Sequence, residues 1–340
     1  MEHVAIDLGG RESQICVRSA DGAVVREVRW PTARLREFLA GQPSSRVVVE
    51  TCSQAFAVAD AARELGHDVR VVPATLVRTL GVGARRTKTD RRDAQVLSEV
   101  SCRIELPSVH VPRAEARRRK TGCGMREALV AARTQLINTV RGWLRATSRR
   151  PRSGASETFA VRVRELLAMD GIPSFVERQL VAIECLTAQI AAADKELETE
   201  AKSDSTCRRL MTVPGVGAVT AMRFVAAIDD VSRFKSAHLL ESYLGLVPGE
   251  SSSSERQQRL SITKAGPRSV RWALVQAAWV LRTRCRTSAA VPLQLWAGEI
   301  EKRRGKRIAV VALARKLAGI LYAVWRDGTT YSLQRGATIP

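Results

Sequence analysis

Residues 1–30, MEHVAIDLGGRESQICVRSADGAVVREVRW, read as three short strands in succession. Val4–Asp7 is apolar and ends in Asp-Leu-Gly-Gly. Gln14–Arg18 and Val24–Trp30 follow at hairpin spacing, joined through Ser19, Ala20, Asp21 and Gly22, where the Asp-Gly pair carries the turn signal. Ala33–Ala40 then reads as a brief amphipathic helix and Arg46–Glu50 as a β-branched strand. Ser53–Leu65 repeats Phe56, Ala59, Ala62 and Leu65 at helical spacing; Asp68–Val72 is a strand closed by Pro73, and a helix runs from about Thr89 to Cys102. The order βββαβαβα is a three-strand meander followed by crossover units.

That order gives four acids a common destination. Asp7 closes the first strand and Glu50 the fourth, and a crossover strand returning beside the first makes those ends neighbours. Asp90 and Asp93, three apart at the start of a helix, share one face. Clustered carboxylates repel unless a cation lies between them, and an all-oxygen donor set suits Mg²⁺ or Mn²⁺. Such an ion polarises a phosphodiester. Arg85, Arg86, Lys88, Arg91 and Arg92 surround the Asp90–Asp93 pair and suit a nucleic-acid backbone. Taken singly, each acid reads as a helix cap or surface charge; their joint placement favours the metal.

The chain of 340 residues carries 55 Lys+Arg against 34 Asp+Glu, a net +21, so polyanions are the expected partners. Seven scattered cysteines without a CxxC, and four dispersed histidines, argue against zinc and for reduced, buried thiols. No apolar run approaches the roughly 20 residues of a spanning helix. The opening MEHVAIDLGG meets a charge too early for a signal peptide. A cytoplasmic, nucleoid-associated bacterial protein with no membrane partner is expected.

Three regions are expected: 1–108, a metal-binding α/β domain; 109–205, basic and helical; and 206–340, almost entirely helical. The middle region holds the basic cluster Arg117–Lys120, a long helix Met125–Arg145 and the loop Arg149–Ala155. From Phe175 to Ala201, Val176, Ile183, Ile190 and Leu197 recur every seven residues, with Leu186 and Ala193 three further on. This is either a coiled-coil seam or an ordinary amphipathic helix on its own core. Leu210–Ala227 and Phe234–Pro248 precede a polar stretch, Gly249–Ser261, and helices near Ser269–Arg282, Leu293–Arg304 and Ile308–Trp325. Val213-Pro214-Gly215-Val216-Gly217 has the look of a helix-hairpin-helix whose glycines approach a phosphate; a Pro-Gly turn between core helices is the plainer reading.

The segments RRTKTDRRDAQVLSE, MREALVAARTQLINTVRGWLR, LMTVPGVGAVTAMRFVAAIDDVSRFKSA and YLGLVPGE…ITKAG together resemble the IS-one-ten family of insertion-sequence transposases, from about Val4 to Trp325. The resemblance implies an RNase H-like, RuvC-type N-terminal domain with Asp7, Glu50, Asp90 and Asp93 as its DEDD set on Mg²⁺. A helical coiled-coil linker and a mainly helical transposase domain would follow. It also implies a catalytic serine, placed at Ser253 by counting from Pro248, with Ser252 the neighbouring alternative. Lys264 of the Ile-Thr-Lys motif joins the expected nucleic-acid contacts, with Gly215 and Gly217. The family's implied partners are donor and target DNA, a structured non-coding guide RNA, and further copies of the chain as dimer or tetramer. Ser254 stands where that family usually has glycine, and Leu260 where a second glycine is common.

Three other readings are set against this one. Ile6–Gly10 also looks like the phosphate loop of sugar kinases and actin-like ATPases, but no second glycine-rich loop or adenosine pocket follows. A RuvC-like nuclease would hydrolyse DNA with metal-activated water and never bond to it. An inactive nucleic-acid-binding transposon remnant would bind without strand exchange.

Overall fold

The computed structural model describes residues 1–79, 90–253 and 256–332, and within these not the side chains of 77–79, 90, 251–253 and 256–259. The chain forms two compact units, Met1–Pro112 and Arg113–Pro340. The middle helices thus belong to the same unit as the C-terminal ones.

In the first unit the strands are β1 (His3–Asp7), β2 (Glu12–Arg18), β3 (Val24–Pro31), β4 (Arg46–Glu50) and β5 (Asp68–Val72). Their order is β3-β2-β1-β4-β5, with the first three antiparallel and β1, β4 and β5 parallel. The alternation in β2 puts Ser13, Ile15 and Val17 inside, and the β1, β4 and β5 interiors are Val/Ile/Ala, as strands covered on both faces require. One face holds α1 (Leu35–Ala40) and α2 (Ala55–Glu64), whose Leu35, Leu39, Ala55, Ala59 and Ala62 are buried with Val4, Ile6, Val47 and Val49. The other face holds α4 (Asp90–Arg103), where Leu97 is buried with Ala5, Val48 and Val72. A six-residue helix, α3 (Ala74–Thr79), follows Pro73 and carries no signal in the sequence reading. This mixed five-stranded sheet is compatible with a DEDD nuclease-like domain.

The second unit is built on α5 (Ala114–Ala146) and α7 (Ser174–Ser203), with α6 (Phe159–Leu167) bridging one end. Leu180 joins the heptad residues Val176, Ile183, Ile190 and Leu197 on α7's buried face, while Leu186 and Ala193 are half-buried. Val176, Leu180 and Ile183 pack on Ile137, Val140 and Leu144 of α5, so the seam finds its partner within the chain. Ion pairs set the antiparallel register: Arg126 meets Asp194 at 2.8 Å and Arg119 meets Glu200 at 3.2 Å. The basic cluster Arg117–Lys120 lies inside α5, which begins eleven residues before the expected helix.

Short helices α8 (Ser205–Leu210), α9 (Ala218–Ile228) and α10 (Ala237–Tyr243) lead to a hairpin, β6 (Pro248–Ser253) and β7 (Arg256–Ile262). Helices α11 (Arg268–Thr283), α12 (Val291–Arg304) and α13 (Lys306–Arg326) complete the core. Two sequence expectations are corrected. In the polar stretch, residues 249–253 and 256–261 belong to a two-stranded sheet within a region expected to be helical. And α13, at 21 residues, is long and apolar enough to cross a bilayer, yet Val310, Leu313, Leu317 and Leu321 are buried with Phe224, Leu274 and Leu281 in the core. The cysteines also divide: Cys16, Cys123 and Cys207 are buried, whereas Cys52 and Cys185 are exposed free thiols. Burial pushes the Cys207 thiol up to about 12, which leaves it inert.

The base of the hairpin is held by glycines where no other residue fits. Gly245 (φ 68°) and Gly266 (φ 66°) both need the left-handed region. A Cβ on Gly266 would lie 1.9 Å from the Tyr243 carbonyl oxygen, and one on Gly245 2.3 Å from that of Ala265. Thr263 N donates to Val247 O at 2.9 Å, and Lys264 N to Gly245 O at 3.1 Å. Arg271 clasps both segments by donating to Leu244 O (2.8 Å) and Ala265 O (2.7 Å). Gly266→Ala is therefore expected to lower unfolding free energy by about 2 kcal/mol or more, measured by urea denaturation. A change within about 0.5 kcal/mol refutes this close approach.

Candidate active site

The β1–β4 register is parallel, with Ile6 opposite Val49. The next residues, Asp7 and Glu50, therefore end neighbouring strands at the same edge of the sheet, both half-buried. The turn leaving Asp7 is tightly specified. A Cβ on Gly9 would lie 2.1 Å from the Glu12 carbonyl oxygen. Thr32 Oγ1 donates to Gly9 O at 2.9 Å and shares a 2.8 Å hydrogen bond with the Ser13 hydroxyl, while Thr32 N donates to Arg11 O at 2.9 Å. Asp-Leu-Gly-Gly is thus the turn of the β1–β2 hairpin, with its glycine at a close backbone contact.

Helix α4 brings the third acid to this edge. His3, at the start of β1, shares a 2.8 Å hydrogen bond with Ser101 near the end of α4. From His3 to Asp7 is four strand residues, about 13 Å. From Ser101 back to Asp93 is eight helical residues, about 12 Å. Asp93 thus stands about level with Asp7. It is only 6% exposed and precedes by one turn Leu97, which packs on Ala5 and Val48. The helix is tied down on its other side: Arg18 Nε donates to Ser98 Oγ at 2.9 Å, and Arg91 Nε to Glu27 at 2.7 Å. A carboxylate as buried as Asp93 needs positive charge or several donors to remain ionised.

The expected four-carboxylate cage is not closed among the described residues, where no three His, Cys, Asp or Glu side chains group closely enough to hold one ion. Asp90 begins α4, and its side chain lies outside the described residues. What is present is two carboxylates on adjacent strand ends and a buried third on the covering helix. This is an oxygen-only donor set that fits a hard divalent cation and not a soft one.

The expected nucleic-acid contacts fare unevenly. Arg85, Arg86 and Lys88 lie outside the described residues. Arg91 and Arg92 are exposed on α4, the former engaged with Glu27. Gly217, exposed, caps α9. Gly215 (φ 83°) also has a packing role: its missing Cβ would lie 2.6 Å from Ala277 O and 2.8 Å from Leu281 Cβ, so this glycine packs the turn onto α11. The plainer reading of that turn holds for Gly215. Lys264 is exposed in left-handed backbone (φ 58°) at the hairpin base. Ser252 and Ser253 lie on β6 opposite Gln257 and Arg256; their side chains, and all of Ser254, lie outside what is described. Leu260, on β7, is 49% exposed.

Sequence reasoning passed over Arg223, a lone cation in the apolar helix α9, which is 3% exposed. The signal was available: an arginine at a core-facing helical position.

A DEDD transposase model of the IS110 type matches residues 4–148, and a model described as "Transposase IS116/IS110/IS902 family" matches 207–292. A probable family 20 transposase of Pseudomonas aeruginosa is 28% identical over 338 residues, covering 97% of this chain and 98% of that protein. The transposase for insertion sequence element IS1328 of Yersinia enterocolitica is 28% identical over 340 residues, with the same coverage. That for IS1111A of Coxiella burnetii is 27% identical over 335 residues, covering 96% of this chain and 90% of its own. The match over residues 4–148 marks a DEDD transposase domain, which implies dependence on a divalent metal ion. The chain belongs to the IS116/IS110/IS902 family of insertion-sequence transposases, enzymes that cut and rejoin DNA.

If Asp7 and Glu50 repel across the strand gap, neutralising one relieves strain in the metal-free protein and weakens metal binding. Asp7→Asn and Glu50→Gln are each expected to raise the melting temperature without metal by a degree or two and to remove most of the Mn²⁺-induced rise. Calorimetry with and without Mn²⁺ checks both signs. An unchanged Mn²⁺ response in both variants shows that the ion binds elsewhere.

Proposed function

We propose that this transposase cuts and rejoins DNA through a serine nucleophile, Ser253, with a divalent cation held by Asp7, Glu50, Asp90 and Asp93. The observation carrying the reading is the parallel β1–β4 register, which ends two acids side by side under a helix bearing a third. Mg²⁺ or Mn²⁺ in that donor set would offset charge developing on the scissile phosphate. The chain's own residues supply the rest. The serine oxygen attacks phosphorus, loses its proton, and forms a phosphoserine ester as a strand-end hydroxyl leaves. The reverse attack by a hydroxyl of the new strand restores the serine, so the phosphodiester bond is conserved.

The hairpin suits a nucleophile because its base is pinned by Gly245, Gly266 and Arg271 while Glu250–Ser253 of β6 pair with Arg256–Arg259 of β7. Lys264 at that base, and Arg92 on α4, are exposed cations suited to phosphates. In this reading a structured guide RNA selects donor and target DNA, and the working unit is a homodimer or homotetramer. The +21 charge supports a polyanionic partner. The α7 seam, closed by α5, leaves oligomerisation to the family resemblance.

Ser253→Ala is expected to abolish the covalent protein–DNA adduct trapped on denaturing gels with Mg²⁺ and cognate element ends, while Ser252→Ala retains it. Undiminished strand cleavage by Ser253→Ala would instead favour hydrolysis by a RuvC-like nuclease. Binding without any cleavage by the unaltered protein would favour the transposon remnant.

A further inference from the structure

A groove of about 890 Å³ runs between α5, α9 and α11 in the second unit. Four features define its chemistry. Arg223 lines it from α9, 3% exposed. Its Nη2 lies 3.1 Å from Glu127 and its Nη1 donates to Ser269 O at 3.5 Å, but its Nε has no hydrogen-bond partner among the described residues. Trp272 of α11 is 47% exposed, with the Arg223 guanidinium 5.5 Å from its ring centroid. Arg268, one turn earlier on α11, is exposed and meets no carboxylate among the described residues. Opposite, α5 presents Gln135 and Asn138, three apart on one face, both exposed, with side-chain amides that bond no described residue.

A buried guanidinium is costly unless its donors are met, and here a single exposed carboxylate faces it. The groove therefore favours an anionic or acceptor-rich occupant. A large aromatic surface left half open in a cationic groove is a stacking platform, and two free amides match the donor and acceptor edges of a base. An apolar helix from a second copy would leave both amides unmet. We propose that this groove holds an unpaired nucleotide of a nucleic-acid strand, its base stacked on Trp272 and read by Gln135 and Asn138, its phosphate on Arg268. This assignment is independent of the serine chemistry and of the metal site.

Full-length protein is titrated into labelled single strands of about 15 nucleotides, one RNA and one DNA, and into a duplex of equal length, by fluorescence anisotropy. Trp272→Leu is expected to weaken single-strand binding roughly tenfold, within the range that base–aromatic stacking allows, and duplex binding by less than about twofold. Gln135→Ala with Asn138→Ala, on an exposed face and so without consequence for folding, should reproduce the single-strand loss. Arg268→Ala should lower the slope of log affinity against log salt by about one. Loss confined to the RNA or to the DNA strand identifies which source supplies the nucleotide, and either supports the site. Equal losses on single strand and duplex, or none in the Gln135–Asn138 variant, overturn it. So does a change in oligomeric state with unaltered single-strand affinity, which would assign the groove to a second copy.

Discussion

The parallel pairing of β1 with β4, which ends Asp7 and Glu50 at one edge of the sheet, is the constraint around which the first unit is arranged. Strands β1 and β4 lie about 4.8 Å apart, so Asp7 and Glu50 leave the sheet at adjacent strand ends. Around them the backbone is over-specified: Gly9 against Glu12 O, the Ser13–Thr32–Gly9 hydrogen bonds, and Val/Ile/Ala interiors that leave the strand register no freedom to slip. Helix α4 is likewise tied to β1 and β2, by Ser101 on His3 and Ser98 on Arg18. Rigid support under these strand ends is what the proposed cation site requires.

How much of this was legible follows from the range of the interactions involved. Strands β4 and β5 are read to the residue, because β-branched runs between turn residues are local signals. Asp7 and Glu50 were findable because register follows from the crossover order. Asp93 was nominated by spacing from Asp90, but its burial depends on Leu97 docking across the sheet, which only the fold reveals. The β6–β7 hairpin was not legible: Gly249–Ser261 has too little apolar alternation to read as strand. Its pairing depends on contacts between Gly245 and Ala265 and between Gly266 and Tyr243, some twenty residues apart. The packing role of Gly215 was hidden for the same reason, since the atoms that demand glycine there belong to α11.

The apolar patterns of α7 and α13 carry a related lesson. A heptad repeat and a long apolar helix report only that a stripe must be covered. Here α5 covers the first, and helices of the C-terminal core cover the second. The pattern fixes the need for burial, and the fold chooses the partner.

Net charge needs the same treatment. Many of the 55 basic residues are engaged within the chain: Arg164 meets Glu177 at 2.7 Å and also Glu184, and Arg113 meets the 3% exposed Asp229 at 2.8 Å. Those guanidiniums hold helices together. A different population sits near the α5–α6 turn, where Arg141, Arg145, Arg150 and Arg152 line a cavity of about 330 Å³ and have no carboxylate partner among the described residues. Arg162 organises that turn by donating to Ala155 O at 2.6 Å and to Arg152 O. Clustered, unneutralised charge of this kind acts over a Debye length and weakens steeply with salt, so it gathers polyanions without sorting them. The groove at Trp272 works by contact instead, through stacking and amide hydrogen bonds that salt barely screens. A protein that must first find nucleic acid and then register one strand of it needs both kinds of surface, and they are separable because their salt dependences differ.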